Sequence, residues 1–308
     1  MSVQKEGSIN STKPIPPYHR FKDFIDIRND RFNVLMSLLN ELKLSVSVVN
    51  IAGKRHIFVM PVLYTSLMFK TGAKRTMTVL SAHYDRTPGS PGANDNGAAV
   101  FMLIDAALRL RGRTCGEWLI IFTDKEELAH GESLKEQGAY MLAKGLKENG
   151  LESCDFFIFD SCGRGDTLII SKTAGYLLKN EHSGAIAPLK NRLRLLQLRA
   201  MDAAKKSLIS RFLLLPTPFS DDAGFLRAGL AAQAITVLPA KEAADFFGIV
   251  RGNELYIDAL ISSEQQRRRG TAYMPKTWRL LNSPDDTDAC LDGNNFEKIV
   301  QFAVKLCL

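Results

Sequence analysis

The apolar residues of this chain follow two spacings, which predict helices alternating with short strands. Apolar residues three or four positions apart predict helices over residues 28–42, 97–111, 137–146 and 189–207. Short apolar runs predict strands over residues 56–63, 76–82, 118–122, 156–159 and 234–238. Gly112 comes directly after the second predicted helix, as a residue that ends helices.

This alternation is typical of an α/β fold. We expect three layers (αβα), with a central, mostly parallel mixed sheet between two layers of helices. Because the alternation is continuous, we expect a single domain over residues 21–308. Residues 1–20 are polar and interrupted by prolines, and we expect them to form a flexible N-terminal arm.

The net charge of +7 raises the question of nucleic-acid binding. Arginines cluster at Arg192, Arg194 and Arg199 and at residues 267–269, but no aromatic residues lie among them and no nucleic-acid-binding motif occurs. We therefore expect no nucleic-acid partner.

The apolar runs are far shorter than the roughly 20 residues of a membrane span. The N-terminal residues contain no signal-peptide core. We expect a cytoplasmic protein without a membrane partner.

Three predicted strands end at side chains that bind metals or move protons. The first leads to His83 and Asp85, the next to Glu126 and Glu127, and the third to Asp160. Open α/β sheets place their functional sites at the carboxyl edge of the strands. We therefore expect these side chains to meet at one edge of the sheet.

Asp95 adds a carboxylate from a loop rich in glycine and proline, just before the second predicted helix. Taken alone, it could simply cap that helix. Several carboxylates at one edge would repel each other, however, unless a cation compensated their charge. Imidazole nitrogen and carboxylate oxygen are the usual ligands of catalytic zinc, so the pattern predicts a metal site.

Two positions suggest a division of labour within such a site. In the spacing His83-x-Asp85, the aspartate can lie behind the histidine and hold its ring. Of the adjacent Glu126 and Glu127, one can bind metal while the other accepts a proton from metal-bound water.

The same motifs, in this order, resemble the M28 family of zinc-dependent aminopeptidases. They are His83-Tyr84-Asp85, Gly92-Ala93-Asn94-Asp95-Asn96-Gly97, Glu126-Glu127 and Asp160. A later segment, Phe219-Ser220-Asp221-Asp222-Ala223-Gly224-Phe225, is similar to the Ser-Asp-His-x-x-Phe segment near the substrate pocket of that family. The resemblance covers roughly residue 79 to the C-terminus.

The resemblance implies a fold of the zinc exopeptidase, or phosphorylase/hydrolase-like, type and a site with two metal ions bridged by Asp95. His83 and Asp160 would complete one metal site, Glu127 would hold the second ion, and Glu126 would be the general base. The implied reaction releases the N-terminal amino acid of a peptide or amino-acid amide through a metal-activated water. It also implies substrate contacts for the similar segment, at Asp221, Asp222 and Phe225.

The chain departs from the family at two positions. Asn282 occupies the place of the last metal ligand, a histidine, and Asp222 stands where the family has a histidine that is not usually a ligand. An amide oxygen is a poorer zinc ligand than an imidazole nitrogen. Three outcomes are therefore open. The second site binds another ion such as Mn²⁺ or Co²⁺, it is empty while one Zn²⁺ still works, or the activity is lost.

Two other functions also remain open. Glutaminyl cyclases share this fold and use one zinc ion, held by the equivalents of Asp95, Glu127 and Asn282, which is the set altered here. The other alternative is a non-catalytic binding protein that retains the scaffold. A serine hydrolase is not expected, because the chain lacks a Gly-x-Ser-x-Gly motif.

Overall fold

The computed structural model describes residues 18–61, 76–113, 117–179, 184, 186–207, 209–251 and 273–308. The strands, in chain order, are β1 (Val46–Ile51), β2 (Lys54–Val59), β3 (Thr78–His83), β4 (Trp118–Thr123), β5 (Asp155–Phe159), β6 (Thr167–Ser171), β7 (Phe212–Leu215) and β8 (Ala232–Leu238). The helices are α1 (Tyr18–Ile25), α2 (Arg31–Glu41), α3 (Ala98–Leu110), α4 (Gly138–Glu148), α5 (Thr173–Leu177), α6 (Ile186–Lys206), α7 (Asp221–Arg227), α8 (Ala240–Val250), α9 (Lys276–Leu280) and α10 (Gly293–Leu306). A π-helical turn (Ala93–Gly97) precedes α3.

The strands of the described ranges form one mixed sheet in the order β1-β2-β4-β3-β5-β8-β6-β7. The central strands β4, β3, β5 and β8 run parallel to one another. At one end of the sheet, β1 and β2 pair antiparallel with each other, and β2 pairs antiparallel with β4. At the other end, β6 and β7 run parallel to each other, and β6 is antiparallel to β8. The predicted α/β fold with a mostly parallel mixed sheet is confirmed.

Alternate residues of the central strands enter two separate cores, because successive side chains of a strand point to opposite faces. Leu80, Ile120 and Phe157 belong to the core that also contains residues of α3, α6 and α10. Val79 and Ile121 belong to a second core, with residues of α4 and α7. Helices therefore cover both faces, which is why the central strands are apolar along their whole length.

The ends of the predicted elements differ from the observed ones in places. The strand predicted over residues 56–63 begins at Lys54 and ends at Val59, while residues 62 and 63 lie outside the described ranges. Helix α1 begins at Tyr18, within the segment predicted to be an arm, because Phe21 and Phe24 pack against the ring of Phe101. Residues 1–17 and 267–269 also lie outside the described ranges. None of the described helices combines the length and apolarity of a membrane span.

Candidate metal centre

Neighbouring parallel strands bring the predicted ligands to one edge of the sheet. His83 is the last residue of β3 and pairs in register with Thr123, the last residue of β4. Asp160 comes directly after β5, which lies on the other side of β3. His83 therefore lies between the strand that leads to Glu126 and the strand that leads to Asp160.

The imidazole of His83 is fully buried among carboxylates. Its Nε2 lies 3.1 Å from Oδ1 of Asp95 and 3.8 Å from Oδ2 of Asp160. Ligand atoms of these three residues all lie within 4.8 Å of one another. Neither nitrogen of His83 makes a well-formed hydrogen bond within the described part of the chain. Because buried polar atoms are normally hydrogen-bonded, this arrangement fits ligands that face a common cation.

The electrostatics of this cluster also favour a cation. Burial favours the neutral form of His83, but the carboxylates of Asp85 and Asp95 outweigh it and raise the pKa of the ring well above its ordinary value. Burial, together with the charge of Asp95, raises the pKa of Asp160. Without another cation to compensate the carboxylate charges, His83 and Asp160 therefore keep their protons. A divalent ion can replace these protons, which are then released.

Asp95 reaches the centre from an irregular turn rather than from the cap of a helix. The residue at the N-cap position of α3 is Gly97, and the peptide bond between Asp95 and Asn96 is cis. The carboxylate of Asp286 accepts hydrogen bonds from the backbone N–H groups of Asn94 and Asp95, each at 2.9 Å. Asp286 thus fixes the turn that presents Asp95.

Arg31 fixes the start of the same turn. Its buried guanidinium donates hydrogen bonds of 2.6 Å to the carbonyl oxygens of Pro91 and Gly92, and one of 2.9 Å to that of Asp85. The sequence analysis missed both Arg31 and Asp286. A single arginine in the first turn of an amphipathic helix carries no signal of this role, since its partners are backbone atoms distant in sequence.

Asp85 lies behind His83 and connects it to the two glutamates. Its Oδ1 lies 3.3 Å from Nδ1 of His83. Its two oxygens accept hydrogen bonds from the backbone N–H groups of Glu126 and Glu127, at 3.1 and 3.0 Å. Although burial acts in the opposite direction, His83 and these backbone contacts lower the pKa of Asp85. Asp85 is therefore a half-buried anion that orients its neighbours.

Glu126 lies close to the metal-binding group. Its carboxylate, one from Glu127 and a nitrogen of His83 offer ligand atoms within 4.8 Å of one another. Nε2 of Gln137 donates a hydrogen bond of 3.3 Å to Oε1 of Glu126. Burial raises the pKa of Glu126 well above its ordinary value against the opposing charge of His83, and the Glu127 charge adds to the rise. A carboxylate with a raised pKa is a stronger base, which suits proton transfer near neutral pH.

Glu127 is held by Thr87 and Asn282. The Thr87 hydroxyl donates a hydrogen bond of 2.8 Å to Oε2 of Glu127. The side-chain amide of Asn282 lies against both carboxylate oxygens, at 2.6 and 3.0 Å. Burial and the charge of Asp95 raise the pKa of Glu127 to about 8. The structure thus brings Asn282 to the centre, together with Thr87, which the sequence analysis did not identify.

The three residues assigned to substrate binding occupy different places. Phe225 is buried in the core, with its ring centroid 5.1 Å from that of Phe156, so the structure does not bring it to the ligands. Asp221 is buried at the sheet edge and accepts a hydrogen bond from the hydroxyl of Thr123. Asp222 lines a cavity of about 390 Å³ beside α5, α6 and β8. Burial raises the pKa of both aspartates to about 7.

Comparisons with known proteins identify the family of the chain. Residues 66–247, more than half of the chain, match the model of peptidase family M28. No curated protein sequence matches the chain.

Solved structures give the same fold at low sequence identity. A glutaminyl cyclase from Porphyromonas gingivalis superposes with a TM-score of 0.62 at 14% identity, over 97% of this chain and 98% of that one. The LapA aminopeptidase of Legionella pneumophila gives 0.59 at 12% identity, over 94% and 69%. A zinc aminopeptidase from Bacillus subtilis gives 0.51 at 18% identity, over 82% of this chain and 49% of that one. The chain therefore spans about half the length of the Bacillus enzyme, and these likenesses concern the fold alone.

Proposed function

We propose that this chain, which belongs to peptidase family M28, is a metal-dependent aminopeptidase that releases the N-terminal amino acids of peptides. The observation that carries the proposal is the convergence of a buried imidazole and two carboxylates beside Glu126. Membership of the family supports a zinc hydrolase. The proximity of Glu126 to the ligands supports catalysis rather than a purely structural metal.

His83, Asp95 and Asp160 would hold the zinc ion, since their nitrogen and oxygen donors are of the kind that catalytic zinc accepts. When bound, zinc polarises a substrate carbonyl and lowers the pKa of a water molecule. Asp85 keeps the ring of His83 oriented with Nε2 towards the other ligands.

Glu126 would accept a proton from the attacking water and pass it to the leaving amine. Three features suit it to this task. Its pKa is raised, its carboxylate is held by Gln137, and its backbone N–H is held by Asp85. Glu127, the adjacent carboxylate, is engaged by Thr87 and Asn282 instead.

The test is Glu126→Gln, which keeps the size of the side chain and removes the base. We expect the rate of hydrolysis of amino-acid arylamides to fall by roughly 10²- to 10⁴-fold, the usual contribution of a general base. Zinc content, measured by elemental analysis, should be unchanged. The matched control is Glu148→Gln, at an exposed glutamate of α4, which should keep full activity. Full activity of Glu126→Gln would mean that the assigned base is wrong.

A glutaminyl-cyclase-like acyl transfer is the second candidate, because the Porphyromonas enzyme superposes over nearly all of both chains. The substrate panel should therefore include peptides with N-terminal glutamine, and the zinc-loaded protein should be compared with manganese- and cobalt-loaded samples. Release of ammonia without a free amino acid would favour cyclisation. Bound metal with neither reaction would favour a non-catalytic binding role.

A further inference from the structure

The centre has two halves, one around His83 and one around Glu127, and they differ in the groups that face their carboxylates. Around His83, ligand atoms approach one another without well-formed hydrogen bonds to the ring nitrogens. Around Glu127, both carboxylate oxygens are already met by neighbours, namely the hydroxyl of Thr87 and the amide of Asn282. The first half has the properties of a cation site, whereas the second is occupied by neutral groups of the protein.

The hydrogen-bond network determines the orientation of the Asn282 amide. With the amide oxygen towards the ionised carboxylate of Glu127, acceptors would face acceptors. With the nitrogen there, Asn282 donates to Oε1 and Oε2 of Glu127 at 2.6 and 3.0 Å and to the Thr87 hydroxyl at 2.5 Å. Thr87 in turn donates to Oε2 of Glu127 at 2.8 Å. In this orientation, donors of the protein face both oxygens of the carboxylate.

The distances also argue against shared coordination by Asn282 and Glu127. Two oxygen ligands of a tetrahedral zinc ion, each about 2.1 Å from the metal, lie roughly 3.4 Å apart. The shorter contact between Asn282 and Glu127 is 2.6 Å, which is a hydrogen-bond distance.

The segment that carries Asn282 is held in place on both sides. The hydroxyl of Ser283 donates to the carbonyl oxygen of Leu280 at 2.6 Å, and Asp286 binds the backbone of the Asp95 turn. Asn282 itself has a φ of 59°, a conformation in which Asn, Asp and His are enriched. The amide is therefore positioned by the backbone, and His or Asp can replace it there.

We infer that this centre takes one divalent cation, held by His83, Asp95 and Asp160. Asn282 and Thr87 hold Glu127 by hydrogen bonds where the resemblance to M28 implies a second ion. The inference rests on the proposed function only in requiring that the centre binds metal. It assigns Glu127 to a positioning role, because its oxygens are engaged by protein donors.

Metal stoichiometry tests the inference independently of activity. Elemental analysis and calorimetric titration with zinc chloride should give one ion for the unaltered chain, and none for Asp160→Asn. Asn282→His and Asn282→Asp should each gain a second ion, because they replace a donor with a ligand. The matched control is Asn40→His, at an exposed asparagine of α2, which should stay at one ion.

Several results would overturn the inference. The first is two ions in the unaltered chain. The second is a single ion in the unaltered chain that is lost in the Asn282→Ala variant but still bound by the Asp160→Asn variant. The third is a single ion in both Asn282→His and Asn282→Asp when circular dichroism shows that they are folded. Absence of zinc from the unaltered chain would instead overturn the proposed function, so the two failures are distinguishable.

Discussion

The position of the Asp95 carboxylate depends on a glycine three residues before it. Gly92 has a φ of 58°, and a Cβ at this position would lie 2.4 Å from the carbonyl oxygen of Asp95 and 2.7 Å from Nη2 of Arg31. We predict that Gly92→Ala lowers the free energy of unfolding by about 3 kcal/mol, from backbone strain and overpacking together. Urea denaturation measures this change.

Gly89→Ala is the control, because Gly89 also has a positive φ, of 85°, but a Cβ there would have no described atom within 4 Å. Backbone strain alone should cost about 1 kcal/mol in this variant. Equal losses in the two variants would contradict the importance of the contact between Gly92 and the Asp95 turn.

The stability of the fold also depends on pH through His56, a buried histidine of β2. Burial lowers its pKa to about 4, and its Nδ1 accepts a hydrogen bond of 3.3 Å from the backbone N–H of Asp124. In the unfolded chain the pKa is about 6.5, so between these values the unfolded state binds more protons. The contribution of His56 to the free energy of unfolding should therefore fall by about 3 kcal/mol as the pH falls from about 6.5 to about 4.

We predict that His56→Gln removes this contribution, so that the stability of the variant relative to the unaltered chain rises as the pH falls, since glutamine can accept the same hydrogen bond and does not titrate. Urea denaturation at a series of pH values checks the slope. His130→Gln, at an exposed histidine, is the matched control and should keep the original pH dependence. An unchanged slope in His56→Gln would assign the dependence to other groups.

At the scale of elements, the sheet edge that carries the candidate metal ligands depends on the contact between α2 and the loop after β3. Arg31 makes this contact, with five carbonyl oxygens as acceptors: those of Phe24, Tyr84, Asp85, Pro91 and Gly92. We predict that Arg31→Leu lowers the free energy of unfolding by about 3 kcal/mol, because the buried acceptors lose a charged donor. Zinc affinity should also fall at least tenfold, since the loop carries Asp85, which lies behind His83, and leads to the turn that presents Asp95.

Denaturation and calorimetric titration check the two effects. Arg28→Leu, at an exposed arginine just before α2, is the control and should change neither. Loss of stability without loss of affinity would show that the loop keeps its shape without Arg31.

The elements that sequence patterns predicted well are those with long or uniform apolar patterns. Helix α3 and strands β4 and β5 were predicted within two residues at each end, because all three are buried and their neighbours reinforce the local pattern. Strand β7 and helix α5 were not predicted, because four or five residues are too few to establish a period. Helix α7 lies in a segment that was identified by its resemblance, not by its periodicity.

The residues of the candidate metal centre likewise divide into those that sequence patterns predict and those that they do not. The convergence of His83, Asp95 and Asp160 could be predicted because open α/β sheets place functional side chains at the carboxyl edge of their strands. Their supports could not be predicted in the same way. Gln137 and Thr87 act through hydrogen bonds to residues elsewhere in the sequence, and such contacts leave no pattern in one sequence.

At the scale of the whole molecule, a metal ion bound at the proposed site would couple binding to folding. The unfolded chain does not hold His83, Asp95 and Asp160 together, so an ion that they bind stabilises only the folded state. At a free zinc concentration of about 100 times Kd, the gain is about 2.7 kcal/mol. For a chain of 308 residues this corresponds to a rise in Tm of roughly 4 °C.

We predict this rise in thermal scans of the chelator-treated protein when zinc is returned. Asp160→Asn should abolish the rise and should also make the metal-free protein more stable than the unaltered one, because it removes one of several mutually repelling carboxylates. Asp202→Asn, at an aspartate that pairs with Lys206 on the surface of α6, should leave the rise intact. If zinc stabilises Asp160→Asn as much as the unaltered chain, the ion binds elsewhere, and the carboxylates at the end of the sheet must be stabilised by protons instead.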